Sequence, residues 1–280
     1  MEEAIKKAEV LIEALPYIKK FHKKVAVIKY GGSILGDKKI RHGVLEDIVF
    51  LSYMGLRPVL VHGGGPNISE RMKIEGKKTD FVDGMRVTDS NTLKIVEEEL
   101  RQLNLEIAAE LKKLGSTVAG FGGADSGLIT AQKKNAEIDL GFVGTVTAVD
   151  AEIIEKETLQ GRIPVVSPMG RGKDGNLYNI NADEAAAHIA VALKAEKSVV
   201  LTNVQGIIRN NSFLSTLTVK EANTLIESKV IQEGMIPKVS ACIFSLENGV
   251  KKTHIIDARI PHGLLLEIFT DQGIGTEIVI

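Results

Sequence analysis

Two hydrophobic rhythms alternate along this chain. Runs of mostly β-branched and apolar residues at 25–30, 58–62, 116–121, 163–167, 198–204 and 253–257 read as buried strands. Stretches at 42–54, 66–74, 90–114, 183–195, 219–228 and 237–248 repeat their apolar positions every three or four residues and read as helices. Strand, helix and strand in regular succession predict an α/β fold, a three-layer αβα sandwich whose central, mostly parallel sheet is covered on both faces. Residues 141–149 and 175–180, punctuated by Gly141, Gly144, Gly172 and Gly175, read as short hairpin material. Ahead of the first strand, Ile5, Ala8, Leu11, Ile12, Leu15 and Ile18 define a helix over 2–21 that Pro16 should bend or break. That helix either lies on its own domain or reaches a neighbouring subunit. No repeat, low-complexity tract or long linker interrupts the pattern, so a lobe boundary near 190–200 would be a cleft within one fold.

Composition narrows the function. The 280 residues carry a net charge of −1, which gives no field favouring nucleic acid or an acidic membrane. Cys242 is the only cysteine, so no intramolecular disulfide forms and a reducing cytoplasm suits the chain. No apolar run approaches the roughly 20 residues of a membrane span. The opening Met1-Glu-Glu-Ala-Ile-Lys-Lys lacks the layout of a signal peptide. A cytoplasmic location is expected.

The candidate chemistry sits where strands end in glycine. Lys29-Tyr-Gly-Gly-Ser33 and His62-Gly-Gly-Gly-Pro66 each close a strand-like run, and a looser third turn ends in Gly122-Gly-Ala-Asp125. Glycines there let backbone N–H groups approach an anion, and a following helix adds its positive end. Lys29 at the end of a buried strand needs an anion nearby unless it snorkels outward. His62 reads as a structural hydrogen-bonder rather than a base. Arg86, in Asp83-Gly-Met-Arg-Val-Thr88, offers a fork matched to carboxylate, although a lone loop arginine is usually solvated. Asn179-Ile-Asn-Ala-Asp-Glu184 opens a helix, with Asn181 and Glu184 as cap and reciprocal cap and Asp183 in the first turn. Lys238, in Gly234-Met-Ile-Pro-Lys238, is a cation at a helix N-terminus, unfavourable unless an anion intervenes. The P-loop spacing, the dinucleotide-binding glycine pattern and the protein-kinase signatures are absent, as is any Cys/His cluster at metal-ligand spacing.

Together these motifs resemble the amino acid kinase family over nearly all of Val25 to Ile280. HGGGP, DGMRVT, NINADEAA, GMIPK and a terminal GIGT are most similar to its acetylglutamate-phosphorylating branch. The resemblance implies a carbamate kinase-like fold and ATP, with Mg²⁺, phosphorylating the γ-carboxylate of N-acetyl-L-glutamate in arginine biosynthesis. It gives Lys29 and Lys238 the flanks of the transferring phosphoryl group, with Asp183 orienting both. Gly31, Gly32 and Gly64 would meet phosphate oxygens. Gly64, Gly65, Arg86 and Asn179 would hold the amino-acid substrate, with Arg86 on its α-carboxylate. Thr202, Asn203, Gly206, Gly234, Met235 and Ile236 would border the nucleotide. No side chain is implied as a metal ligand. Asn203 and Ala124 depart from the Asp and Lys usual in relatives.

Residues 1–24 resemble the oligomerisation helix of arginine-inhibited, hexameric members, a trimer of dimers. Residues 25–280 would form the kinase domain, with a substrate lobe at about 25–195 and a nucleotide lobe at about 196–280. Tyr17, Lys197, Glu267 and Gly273 would line an arginine site. The competing readings are a kinase of another substrate, such as a carrier-bound aminoadipate, and a non-catalytic amino-acid sensor.

Overall fold

The computed structural model describes residues 1–82, 84–122, 127–270 and 273–280, with the side chains of Lys7 and Ser33 left aside. Most of the third glycine turn, with Ala124 and Asp125, therefore lies outside the described residues, as do Asp83 and Asp271.

The chain opens with α1 (Glu2–Glu13) and α2 (Leu15–Phe21), divided at Ala14 just ahead of Pro16. Then follow β1 (Val25–Tyr30), α3 (Lys38–Tyr53), β2 (Arg57–His62), α4 (Gly65–Ile74), β3 (Phe81–Val82), β4 (Met85–Arg86) and α5 (Ser90–Lys113). The middle of the chain gives β5 (Thr117–Phe121), β6 (Ile129–Lys133), β7 (Val143–Val149), α6 (Ala151–Leu159), β8 (Arg162–Val166), β9 (Met169–Gly172), β10 (Leu177–Ile180) and α7 (Ala182–Ala192). The last third gives β11 (Lys197–Thr202), β12 (Ile207–Arg209), β13 (Ser212–Leu214), β14 (Thr216–Thr218), α8 (Val219–Glu227), α9 (Ile236–Glu247), β15 (Lys252–Asp257), α10 (Gly263–Ile268) and β16 (Thr276–Val279).

Eight strands form the central sheet in the order β14-β16-β15-β11-β1-β2-β8-β5, parallel except where β16 runs against β15. Alternation along β1 sorts its side chains between the two layers. Ala26, Ile28 and Tyr30 join a core built with α3, α5 and α10, while Val25 and Val27 join one built with α6 and α7. A third core sits under α8 and α9. This is the expected αβα sandwich.

The expected hairpin material at 141–149 and 175–180 does lie in antiparallel pairs of consecutive strands, and the structure adds how those pairs join. Residues 143–149 form β7, which pairs antiparallel with β6, while β10 pairs antiparallel with β9 and parallel with β7. The four close into a small barrel beside the sheet. Its strands are short and partly exposed, so their apolar period is too brief to read. The expected strand at 198–204 ends at Thr202, after which the chain turns. No helix among the described residues is long and apolar enough to cross a membrane.

Candidate functional site

β1 lies between β2 and β11, where the strand order reverses, and ligands in open α/β sheets bind at such a place. Lys29 continues the Val25–Val27 face of β1 towards α7 and is only 5% exposed. The two glycine turns meet there. Gly63 donates its N–H to the Tyr30 carbonyl at 2.8 Å, and its backbone sits against that of Gly31. A Cβ on Gly31 would lie 2.9 Å from Lys29 Nζ, and one on Gly64 would lie 2.6 Å from Leu100. Glycine at these positions lets the lysine fold over the turn and lets α4 begin beneath it.

Asp183 occupies the first turn of α7. The Asn181 side chain accepts from the N–H groups of Asp183 and Glu184 and so starts that helix. Lys29 Nζ lies 2.9 Å from Asp183 Oδ1, and Lys238 Nζ lies 3.5 Å from Oδ2. The Oδ1 contact is a charge pairing with no well-directed hydrogen bond. Lys238 also donates to the Gly234 carbonyl at 2.9 Å. Two lysines far apart in sequence thus converge on one buried carboxylate. Burial pushes the Asp183 carboxyl up most strongly, but the two ammonium groups outweigh it and hold it below the usual carboxylate range. Burial likewise holds Lys238 below an ordinary lysine, with Asp183 opposing.

Arg86 is 5% exposed at the end of β4. Its Nη2 donates to the Gly65 carbonyl (2.9 Å) and Ser69 Oγ (2.7 Å), its Nη1 approaches Met72 Sδ, and the guanidinium lies over the Phe81 ring. None of these partners is anionic. Burial holds the guanidinium below its usual basicity. Lys29, Gly32, Gly64, Gly65, Arg86, Asn179 and Asp183 line one cavity of about 190 Å³. Asn179 donates there to Thr88 Oγ1 at 3.2 Å. Cationic groups at both ends and a glycine floor suit an elongated dianion.

The expected nucleotide residues are less gathered. Gly234 and Ile236 line a second, larger cavity that shares Met85 and Asn181 with the first. Thr202, Asn203, Gly206 and Met235 are not among the residues lining these two cavities. Gly206 packs instead against Thr276 and Phe213, where a Cβ would not fit.

Three of the four residues expected at an arginine site form a separate buried cluster. Lys197 Nζ donates to Glu267 Oε1 (2.7 Å) and to the Glu267 carbonyl (3.1 Å), and Glu267 Oε2 accepts from the Ile274 N–H (2.9 Å). Gly273, at φ +62°, leaves room that a Cβ would take from the Glu267 carboxylate. Tyr17 reaches this region through an edge contact with Phe269. Burial pushes the Glu267 carboxyl up, yet the His254 hydrogen bond and the Lys197 charge dominate and bring it down to about 2. His254, 3.0 Å from Glu267 Oε1, is a member that the sequence reading did not find. An isolated histidine within a strand carries no local signal.

Two further side chains support the site, one as expected and one not. His62 is fully buried, with Nδ1 on the Gly63 carbonyl and Nε2 within reach of Asn104 Nδ2 and Ser167 Oγ. It holds the triple-glycine turn as a neutral hydrogen-bonder, as expected. Glu184 does not make the expected reciprocal cap. Its Oε1 accepts from the Val146 N–H (2.9 Å) and from Thr145 Oγ1 on β7.

Comparisons with known proteins place the chain among its relatives. The family model described as "Amino acid kinase family" matches residues 24–257. The acetylglutamate kinase of Halothermothrix orenii is 48% identical, over 100% of this chain and 99% of that one. The N-acetylglutamate synthase of Neisseria gonorrhoeae, complexed with coenzyme A and N-acetylglutamate, superposes with a TM-score of 0.88 at 27% identity. That match covers 98% of this chain but 63% of the longer synthase chain. In its complex with coenzyme A and L-arginine the same synthase matches with a TM-score of 0.83 at 26% identity, over 97% of this chain and 65% of that one. The carbamate kinase of Giardia lamblia bound to AMP-PNP, 14% identical with a TM-score of 0.65 over 91% of this chain and 98% of that one, shares the fold. The chain belongs to the amino acid kinase family.

Proposed function

We propose that this amino acid kinase transfers the γ-phosphoryl group of ATP to the side-chain carboxylate of N-acetyl-L-glutamate, giving N-acetylglutamyl phosphate in arginine biosynthesis. The observation that carries the reading is the Lys29–Asp183–Lys238 bridge beside a cavity whose far end holds Arg86, which has no acidic partner among the described residues. The full-length similarity to an acetylglutamate kinase supports the choice of acceptor.

The chemistry asks little of the protein beyond placement. A carboxylate acceptor is already ionised at neutral pH, so no general base is required. The obstacle is repulsion between two anions held in line, and fixed positive groups remove it. In this reading Arg86 pairs with the α-carboxylate and Asn179 and the Gly64–Gly65 turn hold the rest of the acceptor. Its γ-carboxylate then points at Lys29. Gly31, Gly32 and Gly64 offer N–H groups to the phosphates, and Lys238 offsets charge from the nucleotide side. Asp183 offsets the mutual repulsion of the two ammonium groups and orients both towards the transferring phosphoryl group. Thr202, Asn203, Gly206, Gly234, Met235 and Ile236 border the nucleotide.

Mg²⁺ bound with ATP would neutralise phosphate charge, held chiefly by phosphate oxygens and water. Arginine acts as feedback inhibitor at the Lys197–Glu267–Gly273 cluster, where a buried carboxylate suits a guanidinium. The arginine complex of the structurally similar synthase supports this. α1 joins dimers into a hexamer, its apolar residues Val10, Leu11 and Ile12 being exposed on the protomer. The enzyme works in the cytoplasm, in keeping with a lone buried thiol.

The test is ADP release with N-acetylglutamate against glutamate, with the acyl phosphate trapped as its hydroxamate. Turnover should need the acetyl group and collapse in Lys29→Ala. Arginine binding without any hydroxamate would instead mark a sensor.

A further inference from the structure

Glu184 follows Asp183 in α7 but faces away from the lysine bridge, towards the barrel. On one side β7 pairs with β6 along its length, interrupted by a bulge at Thr147. On the other side β10 covers only Val143 and Gly144, because the chain leaves the barrel after Ile180 and turns into α7. Val146 N–H lies beyond that short pairing. Glu184 Oε1 takes it, together with the Thr145 hydroxyl, and Lys134 Nζ stands 3.5 Å from Oε2. A side-chain oxygen thus fills the place that the next residue of β10 would have filled, as backbone donors away from water demand.

The six residues of this junction hold much of the site. Asn179 faces the acceptor cavity, Asn181 caps α7, and Asp183 bridges the two lysines. Among the described residues no other side-chain hydrogen bond joins the first turn of α7 to β7, which otherwise meet through apolar packing of Ala185 and Val146. We propose that Glu184 is a positioning residue for phosphoryl transfer: by completing the β7 ladder it fixes the β10–α7 turn and hence the Asp183 carboxylate between Lys29 and Lys238. The inference rests on the kinase reading of that site. Glu184 touches neither lysine and acts through Asp183, where small displacements of a charge-pairing group are costly in rate.

The acceptor atom, rather than its charge, is what the ladder needs. Glu184→Gln keeps a carbonyl oxygen for Val146 N–H while leaving Lys134 without its anion, and Glu184→Ala removes both. Glu184→Ala should lower kcat at least tenfold with the KM for ATP unchanged within twofold, and should speed amide exchange at Val146 in the protein without substrates. Glu184→Gln should restore kcat to within about threefold of the parent and restore Val146 protection. Equal impairment of the two variants, or an unchanged Val146 exchange rate in Glu184→Ala, overturns the proposal. Should Glu184→Ala fail to fold, Thr145→Val removes only the hydroxyl partner and should lower kcat by a smaller factor with the same KM for ATP; no change in kcat then counts against the proposal. Exchange is read without turnover, so a parent protein inactive on N-acetylglutamate would sink the substrate reading and leave this one to be judged by Val146.

Discussion

Single side chains here are held by charge and burial together, and two of them give sharp expectations. Arg86 keeps its fork by donating to Gly65 and Ser69, neither of them anionic. Replacing it with lysine preserves the charge but loses the planar pair of donors. Hydrogen bonds to charged groups are worth about 1.5–3 kcal/mol, so Arg86→Lys should raise the KM for N-acetylglutamate roughly ten- to a hundredfold. The KM for ATP should hardly move, and steady-state kinetics varying each substrate in turn separates the two. His62 sets a pH limit on stability. Burial lowers its pKa from the usual 6.5 to about 4, so between those values the unfolded chain binds a proton that the folded one refuses. The contribution is intact above pH 6.5 and is lost as pH falls towards 4, at most about 3 kcal/mol. Glu267, held down at about 2, adds a second loss below the ordinary glutamate range. Thermal unfolding followed from pH 7 to pH 3 should show both declines, and a His62→Asn variant should lack the upper one.

At the scale of elements, legibility followed length and isolation. The long helices α3, α5 and α9 and the core strands β1, β2, β8 and β11 declare themselves because enough apolar residues repeat to fix a period. The barrel strands β6, β9 and β10 have four or five residues each and face water on one side, so their pattern never completes. The site was legible as residue types at strand ends and helix starts, in Lys29, Asp183 and Lys238. Their meeting came only from the family resemblance and from no local pattern, since it depends on α7 and α9 packing together on one face of a sheet whose strand order the sequence does not record. Glu184 was misread for the same reason: an acidic residue three positions after Asn181 suits a capping box, and only the nearness of β7 offers it a better partner. α1 is a simpler case. Its Val10, Leu11 and Ile12 are exposed on the protomer and make a hydrophobic face. Deleting residues 1–22 should therefore convert a hexamer into dimers by light scattering and remove inhibition by arginine, because Tyr17 leaves with the segment. A truncated protein still hexameric and still inhibited would show that neither property depends on these helices.

For the molecule as a whole, the question is whether the substrate and nucleotide halves fold as one. The proposed reaction would need Lys29 from one and Lys238 from the other at a fixed separation, which loosely tethered lobes would not maintain. The sheet answers in structural terms. β11, the first strand after residue 195, pairs with β1 from Ala26 to Tyr30, so the boundary between the halves is an ordinary strand pair in the middle of the sheet. One core gathers Ile28, Leu60 and Val165 from one side of that boundary with Val199, Leu201 and Ile256 from the other. Separating the halves would strip both of them of buried apolar area, at about 25 cal/mol for each square ångström exposed. Cooperative unfolding of the protomer as one unit follows. The aromatic residues provide a test, because the chain has no tryptophan and its four tyrosines, Tyr17, Tyr30, Tyr53 and Tyr178, all precede residue 195. Near-ultraviolet dichroism of the tyrosines thus reports chiefly on the substrate half, and a Phe213→Trp variant on β13 gives the other half a fluorescent signal of its own. The two signals should fall at one urea midpoint with one slope. Tryptophan fluorescence lost well before the tyrosine signal would mean that the nucleotide half comes away alone, and the lysine pair would then be held together by ligands rather than by the fold.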